Sequence, residues 1–341
     1  MDRIAVERLT TAELERVLRS PYSDALIADG VTALLVVDEV EDGGPTVRIE
    51  PTGTPGSLPL VVIGIAPADS SRLSLGDPRH TSAAFDLVVA VDDPILDDIV
   101  ANIERCSLAA TSLAVLLRQS ETLDVDHALA AESAVYSTLQ SGPEFARWRT
   151  AAGLMSPRPD DEPAVVASRH DETLVIELNR PHRHNAFSAS MRDALAELLA
   201  LAVSDDTIER VELSGRGPSF CSGGDLGEFG SFGDPATAHR TRLARSPARL
   251  LHRISDRTHV HLHGSCLGAG IELPAFAAHV TASADAMIGL PELTLGLVPG
   301  AGGTVSLPRR IGRWRTAHLA LGATPISAAT AYAWGLVDSI D

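Results

Sequence analysis

The chain has 341 residues, enough for two cores of ordinary size, and its 45% hydrophobic and 21% charged residues exclude a disordered chain. A net charge of −17 disfavours nonspecific binding to nucleic acid or to an anionic membrane surface. No stretch reaches the roughly 18 uncharged apolar residues of a membrane span. The three cysteines, Cys106, Cys221 and Cys266, have neither disulfide-framework nor zinc-ligand spacing, so a soluble protein of the reducing cytoplasm is expected.

In chain order, Thr10-x-x-Glu13 has the form of a capping box leading into a short amphipathic helix. Leu58 to Ala66 and Phe85 to Val91 are compact apolar runs bounded by Gly, Pro and Asp, and they read as buried strands. From Pro94 the apolar residues recur at spacings of three and four, and a second helix is predicted from about Asp124 to Arg149. Met155 to Pro163 carries three prolines and three acids, which places a linker there. The chain therefore divides into an N-terminal region over 1–154, a linker over 155–163 and a second domain over 164–341.

After the linker strands and helices alternate. Leu174 to Asn179, Val211 to Ser214 and Val260 to His263 read as strands, Ser188 to Ala202 as an amphipathic helix, and a further helix begins near Ala269. Alternation of this kind predicts an α/β layer structure.

Three glycine-rich loops, Gly223-Gly224-Asp225, Gly268-Ala269-Gly270 and Gly300-Ala-Gly-Gly303, are each explained by a tight turn alone. Their order is far more specific. Asn179-Arg-Pro followed by Asn185-Ala186, then Phe220 to Leu226, Gly268 to Glu272, Pro291-Glu292, Pro299 to Thr304 and Trp334 to Asp338, resemble successive motifs of the crotonase (enoyl-CoA hydratase/isomerase) superfamily.

That resemblance implies a crotonase-like spiral of ββα repeats over 164–341, preceded by a smaller α/β region with helices. It also implies chemistry through a thioester enolate, whose oxygen needs two backbone N–H donors, here those of Gly224 and Ala269. Glu272 and Glu292, twenty residues apart, fall where hydratases of the family carry their two carboxylates. Adding water across a conjugated double bond needs a base for the water and an acid for the α-carbon. Glu292 is assigned the proton to the α-carbon and Glu272 the water. A glutamate in the first turn of a helix also suits the dipole without any catalytic role.

Arg183, His184, Asn185 and Ala186, with Gly223, Asp225 and Leu226, resemble the loops that hold coenzyme A, which enters as part of the substrate; no permanently bound cofactor is implied. Arg242, Arg245, Arg249 and Arg253 are predicted on one face of a helix, where an exposed basic face is the plainer reading. His259, His261 and His263 share one side of a strand, yet the family's chemistry requires no metal. Trp314 and Trp334 are expected in the core.

Three departures from the family pattern stand out. Ala278 stands where many relatives have an aspartate, and Pro274 follows Glu272 closely enough to disturb the helix that carries it. Family members usually continue past Gly-Leu-Val-Asp338 into helices that cover the acyl pocket and support trimers, whereas this sequence ends at Asp341. Residues 92–152, including Glu132 and Tyr136, resemble that tail placed ahead of the core and are expected to cover this pocket or a neighbouring subunit's. The resemblance thus implies an enoyl-CoA hydratase acting on an acyl-CoA thioester as a homo-oligomer, a trimer or multiple of it, or a dimer if the N-terminal region changes the assembly. The alternatives are an enoyl-CoA isomerase or other thioester enolate chemistry, and a weakly catalytic CoA-binding scaffold subunit.

Overall fold

The computed structural model describes residues 5–20, 26, 29–40, 44–46, 54–68, 83–153, 161–230 and 234–341. The first unit begins with β1 (Ala5–Leu9) and α1 (Thr11–Arg19), where Thr10 and Glu13 form both bonds of the expected capping box. β2 (Val31–Val36), β5 (Val61–Ala66) and β6 (Leu87–Ala90) join β1 in a parallel sheet of order β1-β2-β5-β6, and β3 (Asp38–Val40) pairs antiparallel with β4 (Gly44–Thr46). β5 and β6 are buried at every position, as their uninterrupted apolar runs require of strands covered on both faces.

Four helices follow: α2 (Ile95–Arg105), α3 (Ser107–Ser120), α4 (Val125–Gln140) and α5 (Pro143–Ala152). The helix predicted over 124–149 is two, because Gly142 and Pro143 stop one and start the other. Asp124 caps α4 by accepting from the His127 N–H at 2.9 Å.

α3 is tied to the sheet by Arg118, whose Nε donates to Asp86 Oδ1 at 2.8 Å, while an Nη donates to the Leu58 carbonyl at 2.9 Å. Asp86 also accepts from the Val62 N–H at 2.8 Å, and both side chains are buried. Arg118 is the nearer of two buried guanidinium partners of Asp86, Arg313 standing at 3.6 Å, so Arg118→Met is expected to cost about 3 kcal/mol in urea unfolding, the lower end of the range for breaking a buried pair.

Of the expected linker, residues 155–160 lie outside the described residues; the Pro163 carbonyl accepts from Asn179 Nδ2 at 2.9 Å. The second unit opens with the antiparallel pair β7 (Val165–His170) and β8 (Thr173–Leu178), and continues through α6 (Ala189–Ser204), β9 (Arg210–Gly215), α7 (Pro235–Ala244) and α8 (Pro247–Arg253). Then come β10 (Thr258–Leu262), β11 (Ser265–Leu267), α9 (Ala269–Glu272), β12 (His279–Ala282) and β13 (Met287–Gly289). α10 (Gly303–Ile311), α11 (Arg313–Gly322), β14 (Ile326–Ser327), α12 (Ala328–Trp334) and β15 (Ser339–Ile340) complete it.

One sheet has the order β15-β12-β10-β9-β8-β7 and a second layer the order β11-β13-β14. The chain steps from the first layer to the second within each turn, as β10 to β11 and β12 to β13, which is the expected spiral of strand, strand and helix. Single bridges between Phe187 and Gly224 and between Cys221 and Cys266 extend the second layer.

The two units share one continuous apolar core, from Leu34, Ile63 and Leu113 to Leu199, Val260 and Trp314. Polar contacts cross it too: Asn102 Nδ2 donates to the Leu321 carbonyl at 2.9 Å, and Trp314 Nε1 to the Phe85 carbonyl at 3.0 Å. Trp314 and Trp334 are buried as expected. His259 stacks on His279 with ring centroids 4.7 Å apart.

The arginines expected on one helix face are divided, because Ser246 and Pro247 end α7 and start α8. Arg242 is on the first of these helices, Arg245 caps it, and Arg249 and Arg253 are on the second.

Candidate active site

Stacking of the second layer gathers the glycine loops. The Phe187 N–H donates to the Gly223 carbonyl at 2.7 Å and the Asp225 N–H to the Phe187 carbonyl at 3.0 Å, fixing the loop around Gly224. One turn further along the spiral, the Leu267 N–H donates to the Cys221 carbonyl and the Gly268 N–H to the Gly289 carbonyl, both at 2.9 Å. Gly268 has φ +50°, and a Cβ there would lie 2.2 Å from Glu292 Oε1. Glycine is therefore required for backbone and acid to approach this closely.

Gly224, Ala269, Glu272 and Glu292 line one cavity. Among the described residues the N–H groups of Gly224 and Ala269 have no acceptor, so two main-chain donors are left for a ligand. The helix behind Ala269 is a single turn, since Pro274 diverts the chain into a 3₁₀ turn. Donation by the N–H itself, rather than a long helix dipole, is what Ala269 can supply.

Glu272 is nonetheless firmly seated. Its Oε2 accepts from the N–H groups of Ala301 and Gly303 at 2.7 and 2.8 Å. Glu292 differs: Oε2 is buried with no hydrogen-bond partner among the described residues. Burial pushes the Glu292 carboxyl up to about 8, with repulsion from Glu132 adding to it. Burial, with repulsion from Glu292 and Glu132, also raises Glu272 well above the carboxylate range, opposed by the two amides. Acids this close hold fewer charges than there are carboxyls at neutral pH. The two carboxyls differ in hydrogen bonding: two amides point at Glu272, and none meets Glu292 Oε2 among the described residues.

Glu132 and Tyr136, which belong to the segment expected to cover the pocket, line the same cavity. Glu132 of α4, 2% exposed, accepts from the Gly302 and Thr304 N–H groups at 2.8 and 2.9 Å and from Thr304 Oγ1 at 2.7 Å. Glu272 and Glu132 thus take alternate amides of one loop, 301 and 303 against 302 and 304. Burial raises Glu132 to about 7. Tyr136, one turn along α4, is buried against Gly300. The N-terminal helices therefore close the cavity of their own chain. Within that covering segment nothing local marks Glu132 as a neighbour of the two acids, because a glutamate in an alanine-rich helix has the pattern of a solvated face.

The residues expected to hold coenzyme A divide by what their side chains do. Asn185, fully buried, donates to the Arg216 and Ser219 carbonyls and accepts from the Arg180 N–H. Asp225 is paired with Arg180 at 2.9 Å and Arg183 at 3.6 Å, and the His184 ring meets Ser219 Oγ at 2.9 Å. These contacts shape the loop. Arg183 and Ala186 stay partly accessible, Leu226 is exposed, and Gly223, at φ +95°, sets up the turn beside Gly224.

Comparison with known proteins identifies the family. Residues 169–341 match the sequence model of the enoyl-CoA hydratase/isomerase family. The 2,3-dehydroadipyl-CoA hydratase of Escherichia coli is 34% identical over 176 residues, which is 52% of this chain and 68% of the relative. The 1,2-epoxyphenylacetyl-CoA isomerase of the same organism is 35% identical over 171 residues, 48% of this chain and 64% of that protein. Among solved structures, enoyl-CoA hydratase from Thermoplasma volcanium has a TM-score of 0.49 at 34% identity, covering 53% of this chain and 72% of its own. A putative enoyl-CoA hydratase from Thermobifida fusca, in complex with CoA, has a TM-score of 0.48 at 28% identity, covering 52% and 72%. With more than half of its length matched by the family's own pattern, the chain belongs to the enoyl-CoA hydratase/isomerase family.

Proposed function

We propose that the protein adds water across the double bond of a 2-enoyl-CoA thioester. The observation that carries this reading is that two buried carboxyls, Glu272 and Glu292, line the cavity into which the unpaired N–H groups of Gly224 and Ala269 open. The thioester oxygen takes those two N–H groups and gathers negative charge as water attacks the β-carbon. Glu272, seated by its amides, accepts the water's proton, and Glu292 passes its own to the α-carbon. Moving a double bond needs a single shuttling acid, so the pair favours hydration over isomerisation. The ledge formed by Arg183, His184, Asn185 and Ala186 with Gly223, Asp225 and Leu226 carries the pantetheine arm, and coenzyme A arrives with the substrate.

A panel of 2-enoyl-CoA thioesters, followed by loss of the conjugated absorbance, tests the assignment. Turnover of 2-enoyl substrates is expected; conversion of 3-enoyl to 2-enoyl thioesters alone, or binding without turnover, would assign the isomerase or scaffold role instead. The acid and base roles predict a bell-shaped pH dependence: kcat should fall on the alkaline side as Glu292, raised to about 8, loses its proton, and fall on the acid side as Glu272, raised by burial, gains one.

A further inference from the structure

Four arginines also line the cavity: Arg192 from α6, Arg242 from α7, and Arg245 and Arg249 at the junction of α7 and α8. Three of them have carboxylates at hand. Arg192 meets Asp193 at 2.7 Å, Arg245 meets Asp193 at 3.3 Å, and Arg249 meets Asp126 at 3.4 Å.

Arg242 is different. Its Nε donates to Ser133 Oγ at 3.2 Å, its Nη2 to Ser133 O at 3.5 Å and to Ser137 Oγ, and its guanidinium lies 4.8 Å from the centre of the Tyr136 ring. All of these partners are neutral, and among the described residues no carboxylate oxygen lies within 4.0 Å of Arg242. Nη1 has no acceptor there either. Glu132 attracts Arg242 at longer range, yet its oxygens are taken by the loop at 302 and 304. A half-buried cation with a free N–H edge facing a cavity is complemented best by an anion that the ligand brings.

We propose that Arg242 is a subsite for a carboxylate at the far end of the acyl chain, so that this protein prefers thioesters of dicarboxylic acids to those of simple fatty acids. The placement rests on the hydratase reading only for where the thioester lies. Arg242 stands one aromatic ring, Tyr136, from the Gly300 loop that seats the acids. The phosphates of coenzyme A lie a whole pantetheine arm from the thioester carbonyl, so the anion within reach of Arg242 belongs to the acyl group.

Calorimetric binding of adipyl-CoA and hexanoyl-CoA tests this. The two have the same carbon count and the same phosphates, and neither has a double bond to hydrate, so the result is readable whether or not the hydratase assignment survives. Adipyl-CoA is expected to bind about tenfold to a hundredfold tighter, the range of a charge-assisted hydrogen bond. Arg242→Met should erase the ratio, and Arg242→Lys, which keeps charge without the fork, should retain part of it. Equal or tighter binding of hexanoyl-CoA to the unaltered protein would overturn the proposal. So would an Arg242→Met variant that weakens both ligands alike, since that loss would belong to the coenzyme A phosphates or to the fold.

Discussion

Glu292→Gln is expected to lower kcat by about 10²–10⁴, the usual contribution of a positioned proton donor, while leaving KM within a few fold. The side chain is buried beside Gly268 with one oxygen lacking any partner among the described residues, so an amide of the same shape meets no lost protein contact at that atom. Unfolding stability should therefore be preserved or slightly raised, because the amide removes a carboxyl whose charge is costly to bury. Steady-state kinetics beside a thermal melt separates the effects: a fall in kcat with an unchanged melting temperature is the expected pair.

Substitution of Glu132 should act on stability and on pH dependence together. Glu132→Ala leaves the Gly302 and Thr304 N–H groups and Thr304 Oγ1 without their acceptor, and each buried unsatisfied donor costs about 1–3 kcal/mol. Urea unfolding should show a loss of several kcal/mol, and kcat should fall with it, since the same loop seats Glu272. Glu132→Gln removes the charge and keeps the shape and one acceptor oxygen, leaving its amide nitrogen against one of the loop's donors, so its stability loss should be smaller than that of Glu132→Ala. Glu132 raises both Glu292 and Glu272, so removing its charge should move the alkaline limb of kcat to lower pH.

Stability should respond as well. Glu132 is raised from 4.5 to about 7, so the folded state holds this proton more tightly than the unfolded chain does. Its contribution is full below about 4.5 and is lost as the pH rises toward 7, and that part of the slope should vanish in Glu132→Gln. A purely structural Glu132 would leave the kinetic limb where it is.

What was legible in sequence is what a short stretch of chain decides. Thr10 and Glu13 form their capping box, the apolar run at 61–66 is a strand, and the loops bearing Gly224, Ala269, Glu272 and Glu292 meet in one cavity because successive turns of the spiral stack them in register. Breaks were harder to see than elements. Gly142-Pro143 divides the helix predicted over 124–149 and Ser246-Pro247 the arginine-bearing helix, each where the apolar spacing continues across the break, whereas the disturbance expected at Pro274 is present and limits the helix of Glu272 to one turn.

The contacts of Glu132, as distinct from its place in a covering segment, were out of reach for a different reason. Its partners lie 170 and 172 residues away, and only the docking of α4 on α10 brings them together. Arg242 likewise gains its meaning from Tyr136 and Ser133 of that same helix.

Hydration of a 2-enoyl-CoA in D₂O, by the unaltered protein and Glu292→Gln in parallel, measures the central claim most directly. The expected product is a 3-hydroxyacyl-CoA carrying one deuterium on the α-carbon, formed at least about a hundredfold more slowly by the variant. Equal rates for the two proteins, or deuterium entering the substrate without a hydroxyl group ever being added, would contradict it.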